Sequence, residues 1–235
     1  MRKAVRYWAV IPAAGIGKRM DADLPKQYLT INGKCILEHT LRKFCDYPLI
    51  EGVFVAIAGN DTHWETLTIS THQKITMTPG GKERCQSVLN CLQKLSSMAK
   101  GDDWVLVHDA ARPCVRHSDI KHLINTVDDH PVGGILALPV RDTMKRAGDN
   151  NIIVTTIERN NLWHALTPQI FRFAPLLEAL EYCINNKNII TDEAQAMETR
   201  GHYPILIKGH PDNIKITHDY DLALAELYLE QQGAS

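Results

Sequence analysis

The sequence predicts an α/β protein with a Rossmann-like, mostly parallel twisted sheet flanked by helices. Two features carry this prediction: apolar runs of six to eight residues recur along the chain, and helical segments of 12 to 16 residues separate them. Unbroken apolar runs are typical of strands buried on both faces, and alternation of strands with helices is typical of a parallel sheet. With 235 residues and 44% hydrophobic content, the chain is long enough to bury one substantial core.

The first half of the chain supplies most of the predicted elements. In the second predicted helix, apolar residues recur at helical spacing from Val88 to Leu95, and Ser118 is expected to cap the third. The predicted strands are 6–11, 52–58, 74–79, 104–110 and 133–140, and the predicted helices are 36–47, 83–98 and 118–130.

One segment interrupts this alternation. Residues 139–163 form two strand-like arms around the turn "AGDNN", with cations among the apolar residues. We interpret residues from about 139 to 160 as a projecting β-hairpin arm. A long hairpin is not stable alone, so we expect it to pack on a second subunit and to form a homodimer.

The C-terminal third completes a single domain that spans residues 1–235. Helices are expected near 173–186 and 191–200, strands at "YPILIKG" and "DNIKIT", and a closing helix at "DYDLALAELYLEQQ". No repeat, low-complexity tract or linker divides the chain, so the hairpin arm is an appendage of one domain.

Composition narrows the class of protein. The net charge of −1 gives no general reason to expect nucleic acid or a membrane surface as a partner. No run approaches the ~20 apolar residues that span a bilayer. None of the six cysteines forms a C-x-x-C pair, so reduced thiols are expected. Together these features predict a cytoplasmic protein.

The loop "PAAGIGKRM" follows the first predicted strand directly. It does not fit the dinucleotide fingerprint, because Met20 stands where the third glycine belongs, and it lacks the P-loop ending. Amides of such a loop can line phosphates while Lys18 and Arg19 neutralise charge. The alternative is a simple strand-to-helix turn with two solvated cations. Lys26, held behind Pro25, places a third cation within nine residues and favours a polyphosphate site.

A second turn of small residues follows the third predicted strand. In "PGGKERCQSV", Gly80 and Gly81 expose backbone groups, Arg84 adds charge, and Ser87 lies at the start of a helix. Such a turn can recognise the edge of a nucleobase. An ordinary turn between strand and helix is the alternative.

Two further segments supply charge. Asp109 in "VLVHDAARP" ends an apolar strand, where a carboxylate can hold Mg²⁺ together with substrate phosphates or can bind a substrate hydroxyl. No partner at zinc-ligand spacing accompanies His108, and no G-x-S-x-G elbow is present. Lys215, in the predicted strand "DNIKIT", requires an anionic partner. Without a nucleophile beside a base, these residues indicate direct displacement assisted by charge neutralisation.

Eight motifs in one order add a resemblance to a known family. They are "PAAGIGKRM", "PKQY", "GGKERCQSV", "VLVHDAARP", "PVRDTMKR", "LWHALTPQ", "ITDEA" and "DNIKIT". Together, from about residue 6 to residue 230, they closely resemble 2-C-methyl-D-erythritol 4-phosphate cytidylyltransferases of bacteria and plastids. The resemblance implies that CTP and methylerythritol phosphate react with Mg²⁺ present, giving the CDP-linked alditol and pyrophosphate for isoprenoid precursor synthesis.

The resemblance also implies roles for individual residues. Arg159 is expected to reach a partner subunit's site, and a structural role is expected for Thr191 and Asp192. The implied catalytic residues are Lys18, Arg19, Lys26 and Lys215, and the implied protein ligand to Mg²⁺ is Asp109. The implied CTP contacts are Pro12, Ala13, Ala14, Gly15, Gly17, Gly81, Lys82, Arg84, Ser87, Asp109 and Ala110. The implied methylerythritol phosphate contacts are Asp109, Arg112, Asp142, Thr143, Arg159 and Thr167.

The chain departs from the family pattern at two positions, and two other functions stay open. Lys82 stands where bacterial relatives often carry aspartate, which bears on base selectivity, and Lys18 replaces a commoner arginine. A ribitol 5-phosphate cytidylyltransferase or another sugar-phosphate nucleotidyltransferase is one alternative, although "RDTMKR" and "LWHALTPQ" favour methylerythritol. A catalytically inactive nucleotide-binding regulatory subunit is the other. The presence of Lys26, Asp109 and Lys215 argues against it.

Overall fold

The computed structural model describes residues 5–15 and 24–233. In chain order the strands and helices are β1 Tyr7–Pro12, β2 Thr30–Ile31, β3 Lys34–Cys35, α1 Ile36–Cys45, β4 Ile50–Ile57, β5 Ile75–Pro79, α2 Arg84–Leu95, β6 Trp104–Val107, α3 His117–Val127, β7 Gly133–Pro139, β8 Met144–Ala147, β9 Ile153–Ile157, β10 Trp163–Arg172, α4 Phe173–Asn185, α5 Glu193–Thr199, β11 Ile205–Lys208 and α6 Asp219–Gly233. Short 3₁₀ helices cover Lys26–Tyr28, Trp64–Thr66, Thr68–Thr71 and Asp149–Asn151.

A seven-stranded sheet organises the fold, in the order β11-β7-β10-β6-β1-β4-β5. β10 runs antiparallel to both of its neighbours, β6 and β7, while β1 pairs in parallel with β4 and β6. The outer pairs β4–β5 and β7–β11 are also parallel. The predicted Rossmann-like, mostly parallel sheet is therefore confirmed, and all five strands predicted between residues 6 and 140 are present.

Helices cover both faces of the sheet because each central strand is apolar on both sides. In β1, Ile11 packs into the layer that contains Leu41 of α1 and Leu123 of α3. Its neighbour Val10 packs into the opposite layer with Leu92 of α2, α4 and α5. Burying a side chain of this size stabilises the fold by about 1.5–3 kcal/mol. Helix α6 packs outside these layers, where Ala225 lies in a smaller third cluster.

The sheet brings three chain segments to one edge. Because β1, β5 and β6 run in the same direction, the segments that follow Pro12, Pro79 and Val107 all emerge at their carboxyl ends. After β1 the chain adds β4 and β5 on one side of β1 and then crosses to β6 on the other side. The strand order therefore reverses at β1. Open α/β sheets bind ligands at such a point.

Two local predictions are wrong, and three strands were not predicted. Arg116 occupies the N-cap position of helix α3, so Ser118 lies inside its first turn and does not cap the helix. The segment "DNIKIT" has no regular structure, because it is held as a loop by contacts such as the Ile216 N–H bond to the Ala111 carbonyl at 2.9 Å. The unpredicted strands are the short pair β2 and β3 and the long strand β10. Strand β10 contains the cis peptide bond between Thr167 and Pro168.

The projecting hairpin is present as β8 and β9, which pair antiparallel around Asp149–Asn151. Its apolar side chains Ile152, Ile153 and Val154 are 62–66% exposed. Packing of this arm on a second subunit stays a prediction. Among the described residues, no helix combines the length and the apolar character needed to cross a bilayer.

Candidate active site

A cavity of about 390 Å³ lies at the carboxyl ends of β1, β5 and β6. All of the described residues predicted to bind CTP, and both described catalytic candidates, line it. The lining residues are Pro12, Ala13, Ala14, Gly15, Lys26, Gln27, Gly81, Lys82, Glu83, Arg84, Ser87, Asp109, Ala110, Ala111, Lys215 and Thr217. Gly17, Lys18 and Arg19 lie outside the described residues.

Two glycines form the turn after β5 because side chains do not fit there. A Cβ atom on Gly80 would lie 2.1 Å from the Cβ of Ala14, and one on Gly81 would lie 2.2 Å from Cγ of Gln86. The Gly80 N–H donates to the Ile57 carbonyl at 2.7 Å, and the Gly81 N–H donates to Ser87 Oγ at 3.0 Å. Both amides are therefore used within the protein, and base recognition at this turn requires other groups.

Three cations surround the Asp109 carboxylate. Arg84 Nε lies 3.0 Å from Oδ1, while Lys215 Nζ and Arg112 Nε lie 2.9 and 3.4 Å from Oδ2. Burial raises the pKa of Asp109, but the charges of Arg84, Lys215 and Arg112 outweigh burial and hold the pKa far below its usual range. Asp109 is therefore ionised, and the anionic partner predicted for Lys215 is this carboxylate.

Glu193, which the sequence analysis did not assign to the site, anchors Arg84. Its carboxylate is fully buried and accepts two hydrogen bonds from the Arg84 guanidinium, at 2.6 and 3.1 Å. Burial lowers the pKa of Arg84, but Glu193 and Asp109 more than compensate and hold it above its usual range. The neighbouring Asp192 caps α5 by accepting from the Gln195 N–H at 2.9 Å. Within the motif "ITDEA", Glu193 therefore lies closest to the site chemistry.

The two described lysines approach the cavity on linked segments. Lys26 Nζ donates to the Ile216 carbonyl at 3.2 Å, which ties it to the loop that carries Lys215. That loop is fixed to α3 by Arg116, which pairs with the buried Asp212 at 2.6 Å. The side chain of Lys215 remains 43% exposed, so its ammonium group can reach a ligand in the cavity.

Arg112 and Thr167 lie behind Asp109 and do not line the cavity. Both are buried, and Thr167 Oγ1 accepts from the Asp109 N–H at 3.1 Å. The fully buried His108 contacts Thr167 Oγ1 through Nδ1 at 2.9 Å. Burial lowers the pKa of His108 to about 4, so its imidazole is neutral near pH 7.

The remaining predicted substrate residues lie on or beside the hairpin arm. Asp142, Thr143 and Arg159 are exposed, and in this single chain they do not line the described cavity. The Arg159 guanidinium donates to the Arg141 carbonyl instead. One subunit therefore does not bring these three residues to Asp109.

The described part of the chain offers few ligands for a metal ion. Within residues 5–15 and 24–233, no group of three or more His, Cys, Asp or Glu side chains is arranged to hold one. Glu83 and Asp109 are the acidic residues lining the cavity, and both Asp109 oxygens already contact cations.

The lining residues suit an anionic ligand. Lys26, Lys82, Arg84 and Lys215 carry positive charge, against two carboxylates. The lining hydroxyl of Ser87 donates to the Glu83 carbonyl at 3.2 Å and has no base beside it among the described contacts. The geometry therefore supports charge neutralisation around phosphate groups rather than covalent catalysis.

Comparisons with known proteins agree with this site. The family described as "IspD: 2-C-methyl-D-erythritol 4-phosphate cytidylyltransferase" matches residues 7–231. Proteins of that name are 53% identical in Vibrio vulnificus (strain CMCP6), over 95% of this chain and 94% of the relative, and 51% identical in Vibrio cholerae, over 95% and 96%.

A solved structure gives the same result. The Francisella tularensis 2-C-methyl-D-erythritol 4-phosphate cytidylyltransferase superimposes with a TM-score of 0.83 at 41% identity, covering 95% of this chain and 99% of the other. Similarity in sequence and in fold over nearly the whole length of both proteins shows that this chain belongs to the 2-C-methyl-D-erythritol 4-phosphate cytidylyltransferase family.

Proposed function

We propose that this chain transfers the cytidylyl group of CTP to 2-C-methyl-D-erythritol 4-phosphate at the cavity described above. The products are 4-diphosphocytidyl-2-C-methyl-D-erythritol and pyrophosphate, and the reaction serves isoprenoid precursor synthesis. One observation carries the proposal: in a chain of this family, Lys26, Arg84 and Lys215 converge on the cavity at the sheet's carboxyl edge.

The proposed chemistry is an in-line displacement at the α-phosphorus of CTP. A phosphate oxygen of the methylerythritol phosphate forms the new P–O bond, and the bond from the α-phosphorus to the oxygen of the pyrophosphate breaks. Negative charge accumulates on the α-phosphoryl oxygens and on the departing pyrophosphate, so cations placed beforehand lower the barrier. We assign this role to Lys26 and Lys215, and to Lys18 and Arg19 from the sequence pattern.

Asp109 has a role that its contacts explain. In the structure it holds Lys215 at 2.9 Å, and Arg84 and Arg112 also contact the same carboxylate. When Lys215 turns toward a phosphate, the two arginines still compensate the buried charge of Asp109. The lysine can therefore exchange one anion for another without leaving an unpaired buried carboxylate.

Mg²⁺ belongs to this proposal as an ion bound mainly by CTP phosphates. Mg²⁺ usually keeps several waters and takes one or two carboxylates in addition to substrate phosphates, which fits a cavity whose described lining residues include two acids. Asp109 is the carboxylate that we expect nearest to it. The ion would neutralise phosphate charge, while the cationic side chains act at the α-phosphate.

The proposal includes a homodimer built through the hairpin arm. The exposed residues Ile152, Ile153 and Val154 supply an apolar surface, and Arg159 would complete the substrate pocket of the partner subunit. Its placement away from Asp109 within one chain favours this arrangement. A cytoplasmic location in a bacterial cell is the remaining prediction.

The deciding experiment measures pyrophosphate release from each of the four NTPs with Mg²⁺, offering methylerythritol 4-phosphate and ribitol 5-phosphate in parallel. We expect release only with CTP and methylerythritol phosphate, which would also show that Lys82 leaves base choice intact. Release with ribitol phosphate or another NTP would replace the substrate assignment. CTP binding without release in any pair would instead support the inactive regulatory subunit.

A further inference from the structure

We infer that His108 is a positioning residue for the proposed transfer: with a hydrogen on Nε2, its imidazole closes a ring of four buried hydrogen bonds that sets Asp109 and Lys215 against each other. The inference deepens the proposed function and rests on it. His108 touches neither substrate nor reacting atoms in this scheme and acts through the residues around it.

The ring joins three segments that are distant in sequence. His108 Nε2 contacts the Arg112 carbonyl at 3.0 Å, and Arg112 Nη1 donates to the Asn213 carbonyl at 2.8 Å. Asn213 Nδ2 donates to the Thr167 carbonyl at 2.7 Å, and Thr167 Oγ1 contacts His108 Nδ1 at 2.9 Å, which completes the circuit. All four residues are buried, with exposures of 0% to 8%. We call these residues the four-residue ring.

The direction of each bond follows from the partners. A carbonyl only accepts, so the contact with Arg112 requires a hydrogen on His108 Nε2. In the neutral ring Nδ1 is then an acceptor, and Thr167 must donate its hydroxyl hydrogen to it. Thr167 Oγ1 accepts in turn from the Asp109 N–H at 3.1 Å. The tautomer of His108 is thereby fixed by two protein groups, and Phe44 packs on its ring with centroids 5.1 Å apart.

This bonding changes the role expected for Thr167. Its hydroxyl hydrogen goes to His108, and its oxygen already accepts from the Asp109 amide, so it has no hydrogen left to donate to a substrate phosphate. The threonine is also only 5% exposed and lies behind the cavity lining. We therefore assign Thr167 to positioning, together with His108.

The ring positions the two charged groups of the site. Asp109 directly follows His108 and is held through its own N–H, whereas Lys215 lies two residues after Asn213 on the loop without regular structure. Because a hydrogen-bonded ring spans both backbones, the 2.9 Å contact between Lys215 and Asp109 is set from behind the cavity. Misplacing such groups by about 1 Å can lower a rate by about 10²-fold.

Paired substitutions separate the two ends of the imidazole. His108→Gln keeps a donor near the Nε2 position and removes the acceptor for Thr167, while His108→Asn does the reverse. Thr167→Val removes the hydroxyl at constant shape, and Thr167→Ser retains it.

We expect His108→Gln and Thr167→Val to lower kcat by roughly 10- to 100-fold, with KM for CTP changing by less than about threefold. Thr167→Ser should recover much of the loss. His122→Gln, an exposed histidine on α3, is the matched control and should leave kcat unchanged.

A measurement without substrate tests the ring directly. ¹⁵N NMR of histidine-labelled wild-type protein should show a His108 signal with a hydrogen on Nε2. The signal is assigned by its loss in His108→Gln or, if that variant does not fold, in His108→Asn. A His108 imidazole without a hydrogen on Nε2 would overturn the inference, as would a kcat within twofold of wild type in folded Thr167→Val. If wild type shows the expected tautomer but no turnover with CTP and methylerythritol phosphate, the proposed function fails while the ring stands.

Discussion

The burial of His108 predicts a specific loss of stability in mild acid. Burial lowers the pKa of His108 from an ordinary 6.5 to about 4, although its bond to the Arg112 carbonyl acts in the opposite direction. The unfolded chain therefore binds this proton at a higher pH than the folded protein does. The stabilisation is complete above about pH 6.5 and is lost as the pH falls toward 4. The difference between these two pKa values corresponds to about 3 kcal/mol of unfolding free energy.

Urea denaturation of wild type and of His108→Gln at a series of pH values isolates this contribution, because all other groups titrate in both proteins. The wild-type free energy of unfolding should fall by about 3 kcal/mol more than that of the variant between about pH 6.5 and pH 4. Asp109 contributes in a separate window, since its pKa is far below the usual range and its stabilisation is lost only in stronger acid. Parallel curves for the two proteins would refute the assignment of a buried neutral imidazole.

Three further predictions concern the ion pairs, the metal and the subunit arrangement. Glu193→Gln removes the buried partner of Arg84 and should lower the free energy of unfolding, measured by urea denaturation, by about 2 kcal/mol. Glu178→Gln, in an exposed ion pair, should lower it by less than about 1 kcal/mol. Equal losses in the two variants would contradict the buried ion pair between Arg84 and Glu193. A chelator of divalent ions should abolish pyrophosphate release and added Mg²⁺ should restore it, so full turnover in chelator would remove the ion from the scheme. Mixing inactive Arg159→Ala with inactive Lys26→Ala subunits should regain part of the activity; a mixture as inactive as its components would place both residues in one subunit's site.

The sheet could be predicted from the sequence because its signals are local. The run that becomes β1 is apolar at every position from Trp8 to Ile11, which requires burial on both faces whatever the neighbouring strands are. The ends of such strands locate the turns of small residues, so the cavity lining at Ala14, Gly81 and Asp109 also followed from the chain.

The parts that were missed depend on distant partners. Strand β10 carries Thr167 and Pro168 in its middle, and the chain around them resembles a loop until β6 and β7 are known to flank it. Glu193 belongs to the site only because Arg84, 109 positions earlier, lies against it. The "DNIKIT" segment alternates like a strand, yet its amide at Ile216 bonds to a turn instead of a ladder.

The four-residue ring was not predicted from the sequence. His108 and Arg112 are close along the chain, but Thr167 and Asn213 join them only through the folded arrangement of β10 and the loop after β11. One signal was available in hindsight: a histidine at the end of an apolar strand is buried, and a buried imidazole requires partners for both nitrogens.

Replacing Lys215 tests most directly whether the cavity at the ends of β1, β5 and β6 is where the transfer occurs. With CTP, methylerythritol phosphate and Mg²⁺ saturating, Lys215→Ala should lower kcat by roughly 10²- to 10³-fold, while its melting temperature and CTP affinity stay near those of wild type. Lys121→Ala, an exposed lysine on α3, is the control and should match wild type. A Lys215→Ala protein that turns over at nearly the wild-type rate would contradict the placement of the chemistry in this cavity.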